Sequence, residues 1–161
     1  MNSLVEGEFP LHETQRLRYD LLQTLTDSDL TYKLPGDNPT LGELCREFGD
    51  VEYSYIQSFK TFKHDWSHRT AEPQLATSVA RLQAWYTTLD TEFETVVRGF
   101  SEDDLRNNQI DRGHGFTPPL FVQFCTALPT SRWRGFYATG HAGHRRGLNS
   151  ACPPVGLLVT R

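Results

Sequence analysis

Apolar positions recur at helical spacing over the first two thirds of the chain. Leu17, Leu21 and Leu25 repeat every four residues, with Leu22 widening the stripe. A second stripe joins Leu41, Leu44, Phe48, Val51, Tyr55, Phe59 and Phe62. A third joins Leu75, Val79, Leu82, Tyr86, Leu89, Phe93, Val96 and Phe100. A period near 3.6 residues predicts amphipathic helices over about 10–26, 40–63 and 74–99. Pro10 suits a first helical turn, where its missing N–H is no loss. Thr40-Leu41-Gly42-Glu43 reads as a capping box, hydroxyl and carboxylate each serving an otherwise unpaired backbone donor. A fourth helix is expected from near Pro118, burying Leu120, Phe121 and Phe124. Stripes of this length need partners on more than one side, which predicts an all-α helical bundle.

Two acidic turns resemble each other. Thr26-Asp27-Ser28-Asp29-Leu30 follows the first helix and Ser101-Glu102-Asp103-Asp104-Leu105 the third, and each leads through a loop to a Thr/Pro helix start. A duplicated helix pair and a chance recurrence of one turn chemistry both account for them.

The character changes at residue 125. Residues 1–124 hold 11 of the basic residues and all 20 acidic ones, whereas residues 125–161 hold five arginines and no other charged residue. Ala, Gly, Pro and Arg make up 17 of those 37 positions, and Pro129, Gly135, Gly140, Gly143 and Gly147 would break a helix repeatedly. The chain therefore divides into a helical region, 1–124, and an atypical basic tail, 125–161, in place of most of the fourth helix. The tail reads as a shifted frame. One base later, Cys125 to Pro129 permits Val-Leu-His-Tyr-Arg, a helix-compatible run. A native flexible tail is the alternative, against which stand Trp133, Phe136, Tyr137 and the apolar run Val155 to Val159. Five arginines scattered among Gly, Pro and Ala make a thin electrostatic footprint, so nucleic-acid binding is not expected.

No apolar run approaches the length of a membrane span, and the first residues lack the basic and apolar regions of a signal peptide. Cys45, Cys125 and Cys152 form no disulfide framework, which suits a cytoplasmic protein.

The acidic turn Asp27-Ser28-Asp29-Leu30, the opening Pro39-Thr40-Leu41-Gly42-Glu43-Leu44, then Asp50-Val51-Glu52, Trp85-Tyr86 with Leu89-Asp90, and Gly99-Phe100-Ser101 to Leu105 resemble, in order and spacing, the DinB-like (DinB/YfiT-like) superfamily. The resemblance covers about residues 10–124. It implies an antiparallel four-helix bundle, usually cytoplasmic and often a homodimer, whose members commonly hold a divalent metal such as Zn or Ni through three histidines. It leaves two function classes open: a bundle that binds a small molecule or partner without a complete metal triad, and a metal-dependent thiol transferase or hydrolase.

The family's first histidine position, seven residues after Thr40, is Glu47 here, so no metal ligand set is assigned. Glu47 suits either a pocket or a carboxylate held by an Arg or Tyr. Ser54 shares its helical face, and Tyr86 and Asp90 pair at i, i+4 on the third helix, so these four are the pocket candidates, with an internal hydrogen-bond network as the alternative. Among the histidines, His12 reads as solvated and His114 as a loop residue. His64 and His68 are spaced to share a helix face but stand in a fraying helix end, and His141 and His144 stand among glycines.

Overall fold

The computed structural model describes residues 2–6 and 9–127. They form helices α1 (His12–Gln23), α2 (Leu41–Thr61), α3 (Val79–Arg98), α4 (Glu102–Asn107) and α5 (Leu120–Ala127), with single 3₁₀ turns at Asp29–Thr31 and Pro73–Ala76. Only isolated β-bridges occur among the described residues, Lys33 with Thr40, Lys63 with Asp111 and Gln109 with Pro119. The all-α expectation holds. No helix among the described residues is long and apolar enough to cross a membrane. The tail from residue 128, with the rest of the fourth helix, His141, His144, Cys152 and the shifted-frame question, lies outside the described residues.

The capping box at Thr40 is formed: its Oγ1 accepts from the Glu43 N–H at 3.2 Å, and its own N–H donates to Glu43 Oε2 at 2.8 Å. The two acidic turns share the carboxylate half of that device, and of the two Ser101 completes the box by accepting from the Asp104 N–H. Asp29 Oδ2 accepts from the Thr26 N–H at 2.7 Å and Asp104 Oδ2 from the Ser101 N–H at 2.9 Å. Leu30 and Leu105 are both buried behind them.

The third helix starts at Val79, not near residue 74, because Pro73–Ala76 closes a 3₁₀ turn and Ser78 is extended. With no cap of its own, α3 receives one from a distance: Asp27 Oδ1 accepts from the Val79 N–H at 2.8 Å. The second helix stops at Thr61, where Phe62 turns left-handed with φ 57°.

Contacts give the helix directions. His12 meets Glu94, Arg18 meets Asp90 and Tyr19 meets Thr87, so α1 runs opposite to α3. Gly49 abuts Trp85, Phe59 packs on Phe93 and Phe62 on Phe100, so α2 and α3 run the same way. That departs from a strictly alternating bundle, and the connection over 62–78 is correspondingly long enough to return along the length of α2.

Ile56, Phe59, Leu82, Tyr86, Leu89, Phe93, Val97, Leu105, Ile110, Leu120 and Phe124 form one core. The N-terminal segment adds Leu4, Val5, Phe9 and Leu11, with Phe9 edge-on to Phe93 and Phe124. The first stripe is corrected most. Leu17 is 61% exposed and Leu22 is buried, so α1 turns Leu11, Arg18 and Leu22 inward.

Candidate functional site

One arginine ties the three long helices together. Arg18 of α1 donates from Nη1 to Glu52 Oε2 of α2 at 2.7 Å and from Nη2 to Asp90 Oδ1 of α3 at 2.5 Å. The three side chains are only 13–16% exposed. The guanidinium carbon lies over the Tyr86 ring, 4.0 Å from its centroid. The Tyr86 hydroxyl donates to the Cys45 carbonyl at 2.6 Å, which orients the ring and ties α3 to α2.

Two carboxylates facing one guanidinium do not balance. Burial pushes the Glu52 carboxyl up to about 7, with Arg18 opposing and the neighbouring Asp90 adding to the rise. Burial alone would lower the Arg18 guanidinium, but Glu52 and Asp90 together hold it above its ordinary value. The Tyr86 phenol and the Cys45 thiol are raised by burial, so neither is an activated nucleophile at neutral pH.

Beside the triad, α1 and α3 enclose an open cleft of about 420 Å³, lined among others by His12, Gln15, Tyr19, Thr87, Asp90 and Glu94. Gln15 Nε2 and Asp90 Oδ2 are buried and have no hydrogen-bond partner. Both side chains line the cleft, so a donor and an acceptor without partners are buried in its wall. His12 is half-exposed on the rim, its Nε2 3.1 Å from Glu94 Oε2.

The four expected pocket residues separate. Tyr86 and Asp90 meet at Arg18. Ser54 is buried but turns back on its own helix, donating to the Asp50 carbonyl at 2.9 Å. Glu47 is exposed and lines a different cleft, beside Asp50. Arg18, Glu52 and Gln15 were missed. The available signal was a charged residue one position off an apolar stripe on each of three helices, which marks charges able to meet inside a bundle.

His64 and His68 share no helix face, because α2 has already ended at Thr61. The His64 N–H and the Asp111 carbonyl bond at 2.8 Å, as do the Asp111 N–H and the Phe62 carbonyl at 2.9 Å, so the two loops form a short ladder. Gln123 Nε2 reaches His64 Nδ1 and Ser58 Oγ, each at 2.9 Å, and Trp66 stacks on the imidazole at 3.8 Å. Burial first, then the Arg112 charge, lower His64 to about 4. His68 instead stacks on Tyr53. His114 sits in the left-handed loop Gly113-His114-Gly115.

Among the described residues no group of three or more His, Cys, Asp or Glu is arranged to hold a metal ion. Glu47 is exposed. Comparison of the chain with family models, curated proteins and solved structures finds no match in any of the three.

Proposed function

We propose that this chain is a DinB-like helical bundle that binds a small polar molecule in the cleft between α1 and α3. The observation that carries the reading is a pair of buried atoms without partners, Gln15 Nε2 and Asp90 Oδ2, on side chains that line the cleft beside a charge cluster that fixes three helices. A buried donor or acceptor without a partner costs roughly 1–3 kcal/mol, so a ligand that satisfies both gains that much beyond its other contacts. The ligand class follows. It presents an acceptor to Gln15 and a donor to Asp90, as a primary amide or an amino alcohol does. Glu52 and Asp90 hold one guanidinium between them, which supports a fixed wall for binding.

The test is ligand-observed NMR with a set of primary amides and amino alcohols on the purified protein and on Gln15→Leu, which leaves the ion triad intact. Saturation transfer to a subset, lost in Gln15→Leu, is expected. Equal transfer to both proteins, or none to either, overturns the reading.

A further inference from the structure

On another side of α2 lies a second cleft of about 420 Å³, whose floor is Asp50. Asp50 is 2% exposed. Its Oδ1 accepts from the Thr70 N–H at 2.9 Å, and His68 Nε2 stands 4.0 Å from the same oxygen. Its Oδ2 is buried and has no partner. No lysine or arginine nitrogen among the described residues forms an ion pair with it.

A carboxylate withdrawn from water is strongly disfavoured without a compensating cation or full hydrogen bonding. Two arginines line the cleft without supplying it. Arg69 directs Nη1 to the carbonyls of Trp66 and His68, at 3.0 and 2.6 Å. Arg46 stays on the wall, one helical turn before Asp50. The rim adds Asp37, Glu43 and Glu47. With Asp50 that is four acidic groups against two basic ones, and Glu43 is engaged at the Thr40 cap. A cation is the complement of such a cleft, and a compact donor fits one buried oxygen better than a planar fork.

We propose that the Asp50 cleft is a second binding site, separate from the α1–α3 cleft, for the ammonium group of a small aliphatic amine. A small rotation of the Asp50 carboxylate brings Oδ2, buried in this structure, to the cleft, where the ammonium donates to it. Asp37 and Glu47 at the mouth draw it in and suit a second positive end, so a short diamine fits best.

The test uses the full chain, amide-detected NMR, putrescine as the probe and 1,4-butanediol as its neutral counterpart. Putrescine is expected to move the Asp50 and Thr70 amide signals saturably, and the diol to leave them in place. Asp50→Asn keeps an oxygen for the Thr70 N–H and removes the charge, so it should weaken putrescine roughly tenfold, the loss of one charge-assisted hydrogen bond. Arg46→Gln removes a repelling charge from the wall and should tighten binding, which gives a second readout if Asp50→Asn does not fold. The proposal is overturned if the diol moves the same signals as strongly, if putrescine moves neither, or if magnesium ion alone saturates the site more tightly than putrescine does.

Discussion

The Arg18 guanidinium carbon stands over Tyr86, 4.0 Å from the ring centroid, while two of its nitrogens hold carboxylates on α2 and α3. The ring supplies an apolar, electron-rich face, and the carboxylates supply charge.

Arg18→Met leaves Glu52 and Asp90 facing each other with no cation. Removing one partner of a buried pair costs about 3–5 kcal/mol, and the residual exposure here places the expected loss near the lower end. The triple variant Arg18→Met, Glu52→Gln, Asp90→Asn removes the charges together and should recover much of that loss. Urea denaturation of the two variants checks both statements. A triple variant no more stable than the single one would show that the charges are not what couples these positions.

Glu52 gives a pH signature of defined sign. Its folded-state value, about 7, lies above its ordinary 4.5. The folded protein then binds the proton more tightly than the unfolded chain, so this contribution is complete below about 4.5 and is lost as pH rises through about 7. Glu52→Gln cannot lose a proton. The stability of wild type relative to Glu52→Gln should therefore fall between about pH 4.5 and about pH 7, read as the difference in melting temperature. A difference that grows with pH would reverse the assignment.

His64 works in the opposite direction. Its value falls from 6.5 to about 4 in the folded state, so its contribution is present above about 6.5 and is lost as pH falls through about 4. The cause is burial of the ring first and the Arg112 charge second. Relative to wild type, His64→Asn should flatten the acid side of the stability profile, in denaturant titrations from about pH 4 to pH 7. An unchanged acid limb would place the sensitivity elsewhere.

Two glycines of α2 separate backbone from side-chain crowding. A Cβ at Gly42 would stand 1.8 Å from the Ala76 carbonyl oxygen, and one at Gly49 would stand 2.2 Å from the Trp85 ring. Alanine in a helix interior gains roughly 0.5–1 kcal/mol over glycine, and overpacking costs about 1–3 kcal/mol. The half-buried Trp85 ring can swing aside, whereas the Ala76 backbone cannot. Gly42→Ala should therefore destabilise clearly more than Gly49→Ala, by thermal unfolding. Equal losses would mean that the turn at Pro73–Ala76 yields as readily as the ring.

Periodicity made α2, the body of α3 and the start of α5 legible, because each is a long apolar stripe that buries itself. It failed at α1. There the inward face carries Arg18, and a hydrophobicity pattern ranks Leu17 above it although Leu17 is exposed. The charge is worth burying only because Glu52 and Asp90 arrive from helices 34 and 72 residues away. Half of the site was visible in Tyr86 and Asp90, which share one helix at i, i+4. Glu47 and Ser54 share a face of α2, but that face is wide, and no spacing along one helix tells which neighbour covers each part of it. The cap that Asp27 places on Val79 was hidden for the same reason, since its partner lies 52 positions on.

Both ends of α3 are set by residues made before it. Asp27 takes the Val79 N–H at one end. Asn2 gives its side-chain amide to the carbonyls of Val97 and Phe100 at the other, at 2.9 and 2.7 Å. A chain that leaves the ribosome N-terminus first thus carries the limits of its third helix before that helix exists. An excised 79–98 peptide would have no marked beginning or end. A deletion or bulky fusion at the first few residues would be felt near Phe100, almost a hundred residues downstream, as a loosened last turn.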